Sequence, residues 1–249
     1  MKIKDSIALV TGTNRGIGRS LVTALANAGA NKVYAGMRDV DAFIQSNPQF
    51  FDSFQGTVIP LSLDITKNGQ IDSAVLKARD INLLLNNAGV ANYSGLIAAS
   101  DLSSARQEME VNYFATLAMI RGFAPVLKKN GGGAIVNLLS VASLVNFPML
   151  GSYSASKAAL YSLTQGIRAE LAAQGTAVMG VFPGPIDTDM GKGIDMEKAS
   201  PDDIALGTLK GIENGEEDIF IDEMAVQLRE NYWANPKSVE RQCGEMLPN

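Results

Sequence analysis

The sequence sets a tyrosine and a lysine four residues apart in Ser152-Tyr153-Ser154-Ala155-Ser156-Lys157. On a helix, side chains at i and i+4 share one face, so the phenol and the ammonium would stand together. An ordinary tyrosine titrates near ~10 and is protonated at neutral pH. A neighbouring positive charge favours the phenolate and brings the group closer to the range where a general acid or base works well. Of the six tyrosines, only Tyr153 has a lysine at this offset. The spacing alone would also suit an ordinary exposed helix face.

A second stretch able to do chemistry lies near the N-terminus, Thr11-Gly12-Thr13-Asn14-Arg15-Gly16-Ile17-Gly18. Glycines let the backbone turn tightly and come close to a pyrophosphate, and a helix start behind them offers free N–H groups to the phosphates. The spacing is Gly-x-x-x-Gly-x-Gly, and an ordinary strand–helix loop is the plain alternative. An apolar strand before it and a helical pattern after it favour a dinucleotide.

Other chemistries are excluded by counting. There is no histidine, which rules out Ser-His-Asp and Cys-His hydrolysis and histidine-ligated zinc. The lone Cys243 allows neither an internal disulfide nor a Cys-x-x-Cys pair. A formal net charge of −5 gives no broad basic face for nucleic acid. The start of the chain lacks a signal-peptide pattern and no window nears the ~20 apolar residues of a membrane span, so cytoplasmic placement without membrane contact is expected.

The elements that must position these residues alternate along the chain. Strands are predicted at 7–10, 32–35, 57–63, 81–85, 134–139, 177–182 and 218–221. Helices are predicted at 15–28, 102–129 (as one long helix), 152–173 and 204–213. This alternation predicts a single α/β domain over residues 1–249, a doubly wound parallel sheet of about seven strands with helices on both faces. Residues 39–56 read as mixed helix and loop. The extension at 222–249 reads as a helix to Trp233, then Pro236 and an irregular end.

The chain resembles the short-chain dehydrogenase/reductase family, whose glycine motif Thr-Gly-x-x-x-Gly-Ile-Gly is matched by Thr11–Gly18 at every fixed position. Asn86-Asn87-Ala88-Gly89 matches a second family motif. The resemblance implies a Rossmann fold and a nicotinamide cofactor held by Gly12, Asn14, Arg15, Gly16, Ile17 and Gly18, with Asn86, Ala88 and Gly89 lining the adenosine side. Asp64 matches the family acid at the adenine ring, next to Ile65, although a helix N-cap is an equal reading. In Met37-Arg38-Asp39, Met37 occupies the position where NAD-specific members carry an acid. Arg38 could pair with a 2′-phosphate, and Arg15 could add a second charge. Both arginines could equally be surface residues, and Asp39 shifted by one place would favour NAD. NADP(H) is expected, with NAD(H) possible.

At the reacting end the resemblance makes Tyr153 the acid/base and Lys157 the group that lowers its pKa and binds the nicotinamide ribose. Ser140 would orient the carbonyl and Asn112 would hold the proton-relay water. Structural alternatives are a strand-end cap for Ser140 and a helix kink for Asn112. Pro183, Gly184, Ile186 and Thr188 match the segment that anchors the nicotinamide, with pro-S hydride transfer implied. The implied activity is reversible NADPH-dependent reduction of a ketone or aldehyde. Alternatives are 3-oxoacyl-thioester reduction, or a cofactor-binding sensor without turnover. Val141, Leu144, Val145, Phe147, Met149 and Met190 are expected to line an apolar substrate pocket, unless they are packing residues. Residues 188–200, with Met196, would form a lid. The family's Asp-Gly-Gly near the last strand is replaced by Asp222-Glu223-Met224. A homotetramer or homodimer is implied, through long helices carrying Phe114, Leu117, Ile120, Leu160, Leu163 and Ile167.

Overall fold

A computed structural model describes residues 1–192 and 195–247. The strands are β1 (Ile7–Thr11), β2 (Lys32–Met37), β3 (Val58–Ser62), β4 (Leu83–Asn86), β5 (Gly133–Leu138), β6 (Thr176–Val181) and β7 (Asp218–Ile219). They form one parallel sheet in the order β3-β2-β1-β4-β5-β6-β7. Alternate residues of a strand point to opposite faces, and here both faces are covered. Leu83 and Leu85 of β4 therefore join one core cluster while Leu84 joins the other, and all three are fully buried. This is why the central strands read as continuous apolar runs rather than as alternation.

The helices are α1 (Gly16–Asn27), α2 (Val40–Ser46), α3 (Asn68–Lys77), α4 (Ser103–Met109), α5 (Thr116–Lys129), α6 (Gly151–Ala172), α7 (Pro201–Asn214), α8 (Glu223–Ala234) and α9 (Pro236–Gly244). Leu21 and Leu25 of α1 and Leu209 and Ile212 of α7 cover one face of the sheet. Ile71 of α3, Met119 and Phe123 of α5 and Ile167 of α6 cover the other. Ile120, Leu160 and Ile167 are buried, whereas Phe114 is half exposed and points away from that core. Among the described residues, no helix is long and apolar enough to cross a membrane.

Two expectations need correcting. The stretch expected as one long helix is interrupted by a π-helical turn, Glu110–Ala115, with Asn112 inside it. Such wide turns recur at functional sites because they re-aim side chains. The tail does not end irregularly after Pro236. Proline at the first position of a helix loses no hydrogen bond, and Pro236 opens α9, with Asn235 capping Ser238 N–H at 3.1 Å. Ala225 and Leu228 of α8 and Val239 and Cys243 of α9 pack on Val141 and Val145, just beyond β5.

The sheet order reverses between β1 and β4, which leaves a crevice beyond the carboxyl ends of the strands. In open parallel sheets ligands bind at such a switch point.

Candidate active site

The crevice opens into a cavity of about 1200 Å³. One wall of it begins at the glycine loop. Gly12 has φ +71°, and a Cβ there would stand 2.9 Å from the Cα of Ala88. A Cβ on Gly18 would meet the Gly12 carbonyl oxygen at 2.2 Å, so loop and helix pack closer than any side chain permits. The loop is tied down by its neighbours. Thr13 N–H donates to Gly36 O at 3.1 Å, and the Thr11 hydroxyl accepts from the N–H groups of Asn87 and Ala88, both at 3.0 Å.

Helix α1 starts at this loop with no side-chain cap and no acidic residue in its first turn. Helices α3 to α6 likewise lack a side-chain cap, whereas α2, α7, α8 and α9 are capped by Asp39, Ser200, Asp222 and Asn235. Free N–H groups and the positive end of the helix dipole are what a pyrophosphate needs. At the end of β2, Arg38 lines the cavity, while Asp39 Oδ1 accepts from Ala42 N–H at 2.9 Å as the cap of α2. Asp64 is not the cap of α3, which begins four residues later. Its Oδ1 accepts from Thr66 N–H at 3.0 Å and the Thr66 hydroxyl at 2.7 Å. Despite partial burial, these hydrogen bonds and the cations Lys67 and Arg38 hold its carboxyl below the usual range.

At the other end of the cavity stand Ser140, Tyr153 and Lys157. Ser140 stands two residues past the end of β5 and caps a short 3-10 turn, its Oγ accepting from Ala142 N–H at 3.1 Å. Tyr153 and Lys157 lie in the first two turns of α6, with the ammonium 5.7 Å from the centre of the phenol ring. Lys157 Nζ donates to Leu138 O at 2.6 Å. Burial pushes the Tyr153 phenol up to about 12. The Ser140 hydroxyl acts against this shift, and Tyr93 and Glu108 add to it. Burial pulls Lys157 down to about 8. With these residues alone the tyrosine rests as the protonated donor.

Asn112 backs the wall instead of lining it. Its Oδ1 accepts from Val90 N–H at 2.9 Å, and its Nδ2 donates to Val90 O and Ser156 Oγ, each at 2.9 Å. Its side chain thereby pins the strap after β4 to α6.

Most of the expected site residues converge here. Gly12, Asn14, Arg15, Gly16, Ile17, Gly18, Arg38, Asp64, Ile65, Ala88 and Gly89 line one half of the cavity. Pro183, Gly184, Ile186 and Thr188 line it after β6, together with Val141, Phe147, Met149, Met190 and Met196. Gly184 is held by its own N–H donating to Asp222 Oδ2 at 2.9 Å, which ties this turn to the tail.

Besides Asn112, three expected residues do not reach the cavity. Asn86 turns into the sheet, where its Nδ2 donates to Asn137 Oδ1 at 2.9 Å. Its neighbour Asn87, just past the end of β4, lines the cavity instead, its Nδ2 donating to Thr11 O and Gly12 O. Leu144 and Val145 pack against the tail helices. Arg15 lies against Asp189 at 2.8 Å, an exposed pair of small energetic weight. Of the expected lid, residues 193–194 lie outside the described residues.

Residues that sequence reasoning missed include Lys67, Tyr93, Met224 and Met246, all in the cavity wall. The Tyr93 hydroxyl donates to Met190 O at 2.5 Å, joining the straps after β4 and β6. Glu108, fully buried one helical turn before Asn112, was also passed over. Its i,i+4 spacing to Asn112 was the available signal.

Comparison with known proteins agrees with this geometry. The short chain dehydrogenase family matches residues 6–199. An uncharacterised oxidoreductase of Staphylococcus saprophyticus is 31% identical over 220 residues, covering 86% of this chain and 93% of its own. L-2,3-butanediol dehydrogenase of Corynebacterium glutamicum is 30% identical over 198 residues, covering 78% of this chain and 76% of its own. The crystal structure of a short chain dehydrogenase from Burkholderia cenocepacia in complex with NADP superposes with a TM-score of 0.90 at 39% identity over the whole of both chains. The chain belongs to the short-chain dehydrogenase/reductase family of oxidoreductases.

Proposed function

We propose that this protein reduces an apolar ketone or aldehyde to the alcohol with NADPH, reversibly. The observation that carries the reading is the meeting of Ser140, Tyr153 and Lys157 in one cavity whose far end is the uncapped start of α1. Gly12, Gly16 and Gly18 would let the pyrophosphate approach the backbone, and Arg38 with Lys67 would hold a 2′-phosphate. Asp39, engaged as a helix cap, supplies no competing acid. When bound, the nicotinamide supplies or accepts the hydride.

Ser140 orients the carbonyl oxygen by donating its hydroxyl. Tyr153, protonated at working pH because its value is pushed up to about 12, gives that oxygen its proton. The two donors together stabilise the negative charge that develops there. Lys157 binds the ribose hydroxyls and keeps a positive charge beside the phenol at neutral pH. Asn112 places Ser156 and the strap at Val90, and so the wall along which a relay water would run.

Phe147, Met149, Met190, Met224 and Met246 make the substrate end apolar and adaptable, since thioether side chains repack easily. The cations among the described lining residues are Arg15, Arg38, Lys67 and Lys157. Arg15, which comes closest to Met190, is paired with Asp189, and so offers no free charge there to an acyl-carrier substrate. A homotetramer or homodimer through the α4–α6 face, with Phe114 exposed on it, is part of this reading; a monomer mass by light scattering would reject it.

The test is NADPH consumption against aryl ketones, diketones and aldehydes, with NADH in parallel. Turnover with NADPH supports the reading. Cofactor binding without turnover on any carbonyl would favour a sensor, and activity confined to 3-oxoacyl thioesters would replace the substrate class.

A further inference from the structure

The buried carboxylate of Glu108 has no place in the mechanism above. It is 0% exposed, although unpaired buried charge is costly. Its Oε1 accepts from Asn92 N–H at 2.6 Å, and its Oε2 accepts the Ser152 hydroxyl at 2.5 Å. One turn further along the same helical run, Asn112 does the same with Val90 and Ser156. Glu108 and Asn112 are thus two rungs between the strap after β4 and the first turns of α6. The two serines they grip, Ser152 and Ser156, immediately precede Tyr153 and Lys157.

We propose that Glu108 and Ser152 form a positioning pair for Tyr153, fixing the start of α6 against the strap that carries Tyr93. This rests on the reading of Tyr153 as the acid/base. The charged and titratable groups around the phenol are Lys157 on its own helix, Tyr93 from the strap, Glu108 from α4 and Glu110 from the π turn. Asp189 and Asp195 line the same cavity from beyond β6. Among the shifts at Tyr153, the Glu108 charge acts to raise it, behind burial, Ser140 and Tyr93. Removing that charge therefore makes the phenol easier to ionise.

The experiment compares Glu108→Gln, Glu108→Asp and Ser152→Ala with the native chain, following alcohol oxidation with NADP⁺ across pH together with thermal melting. Misplacing a reacting group by ~1 Å costs roughly a hundredfold, so a partly loosened phenol should lower kcat roughly tenfold, with KM for the cofactor within about twofold. In Glu108→Gln the rising limb of the oxidation profile, which follows ionisation of the phenol, should move to lower pH. Glu108→Asp, which keeps the charge, should keep the native limb, as should Ser152→Ala despite its lower kcat.

A second readout does not depend on turnover. With tyrosine labelled at Cζ, and Tyr153 assigned through Tyr153→Phe, its titration should move to lower pH in Glu108→Gln even if every tested alcohol proves inert. That separates failure of this proposal from failure of the proposed activity. Unchanged kcat, limb and Tyr153 resonance, with only a lower melting temperature, would overturn the proposal. If Glu108→Gln does not fold, native kcat in Ser152→Ala would overturn it.

Discussion

The glycine-loop end of the cavity and its Ser140–Tyr153–Lys157 end, proposed as the reaction end, lie along one edge of the same sheet, yet they are held in different ways. The glycine-loop end is mostly backbone: a turn that only glycine fits at Gly12, an uncapped helix start, and backbone N–H groups of Asn87, Ala88 and Thr13 donating to Thr11 Oγ1 and Gly36 O. Its residues come in runs that are contiguous in sequence. The reaction end is made of side chains drawn from α4, the π turn, α6, the straps after β4 and β6, and the tail. Buried polar cross-links through Asn112 and Glu108 hold it in register. A backbone cradle tolerates change in most side chains around it. A cross-linked cluster does not, because each partner left unsatisfied in the interior costs about 1–3 kcal/mol.

The sharpest way to break this comparison is Tyr153→Phe. It should cut turnover on the order of a thousandfold, within the span of general acid contributions. NADPH affinity by fluorescence titration should stay within about twofold; a large loss of affinity would show that the two ends are one unit. Next comes Arg38→Ala. Loss of charged hydrogen bonds worth about 1.5–3 kcal/mol should raise KM for NADPH roughly 10- to 100-fold and leave KM for NADH nearly unchanged. Equal loss with both cofactors would remove Arg38 from the 2′-phosphate.

A smaller effect should follow pH. Lys157 is held down at about 8, so it carries its charge below that value and loses it above. The rate of carbonyl reduction should therefore fall several-fold as pH rises past about 8, while Tyr153, pushed up to about 12, remains protonated. For folding the sign is opposite. Between about 8 and the ordinary lysine value of 10.5, the unfolded chain binds more protons. The stability contributed by this group thus grows with pH over that window and is lost as pH falls through about 8. A pH–rate profile beside denaturant melts would check both directions.

The smallest expected effect on activity is at Leu144. It packs with the tail cluster, so Leu144→Ala should cost about 2 kcal/mol or more in a urea melt and leave KM for the carbonyl substrate near native. Met149→Ala, in the cavity wall, should do the reverse: little change in stability, and a several-fold change in substrate KM.

Much of this protein was legible before its structure. The alternation of apolar runs gave all seven strands, and the glycine spacing marked the turn at Gly12 because that backbone conformation excludes other residues. The i,i+4 pair at Tyr153 and Lys157 was visible because a helix makes such neighbours by geometry alone. Harder to read was which of two adjacent residues faces the cavity. Asn86 ends β4 and Asn87 follows it, which the sequence does not distinguish, and Leu144 and Val145 look like any pocket lining until the tail is seen to cover them. Pro236 read as an end because proline stops helices, while the same missing N–H lets it start one.

By itself the sequence determined the parallel sheet, the phosphate-turn geometry and the presence of a phenol beside an ammonium, since each follows from local periodicity or backbone sterics. Only the tertiary structure decided that Lys157 is anchored to Leu138, that Asp39 is occupied as a cap, and that Glu108 and Ser152 meet beneath Tyr153. Those outcomes depend on contacts between residues as much as 44 positions apart and on burial, which raises the phenol and lowers the ammonium. Desolvation is a property of the folded surroundings, and no spacing within the chain encodes it.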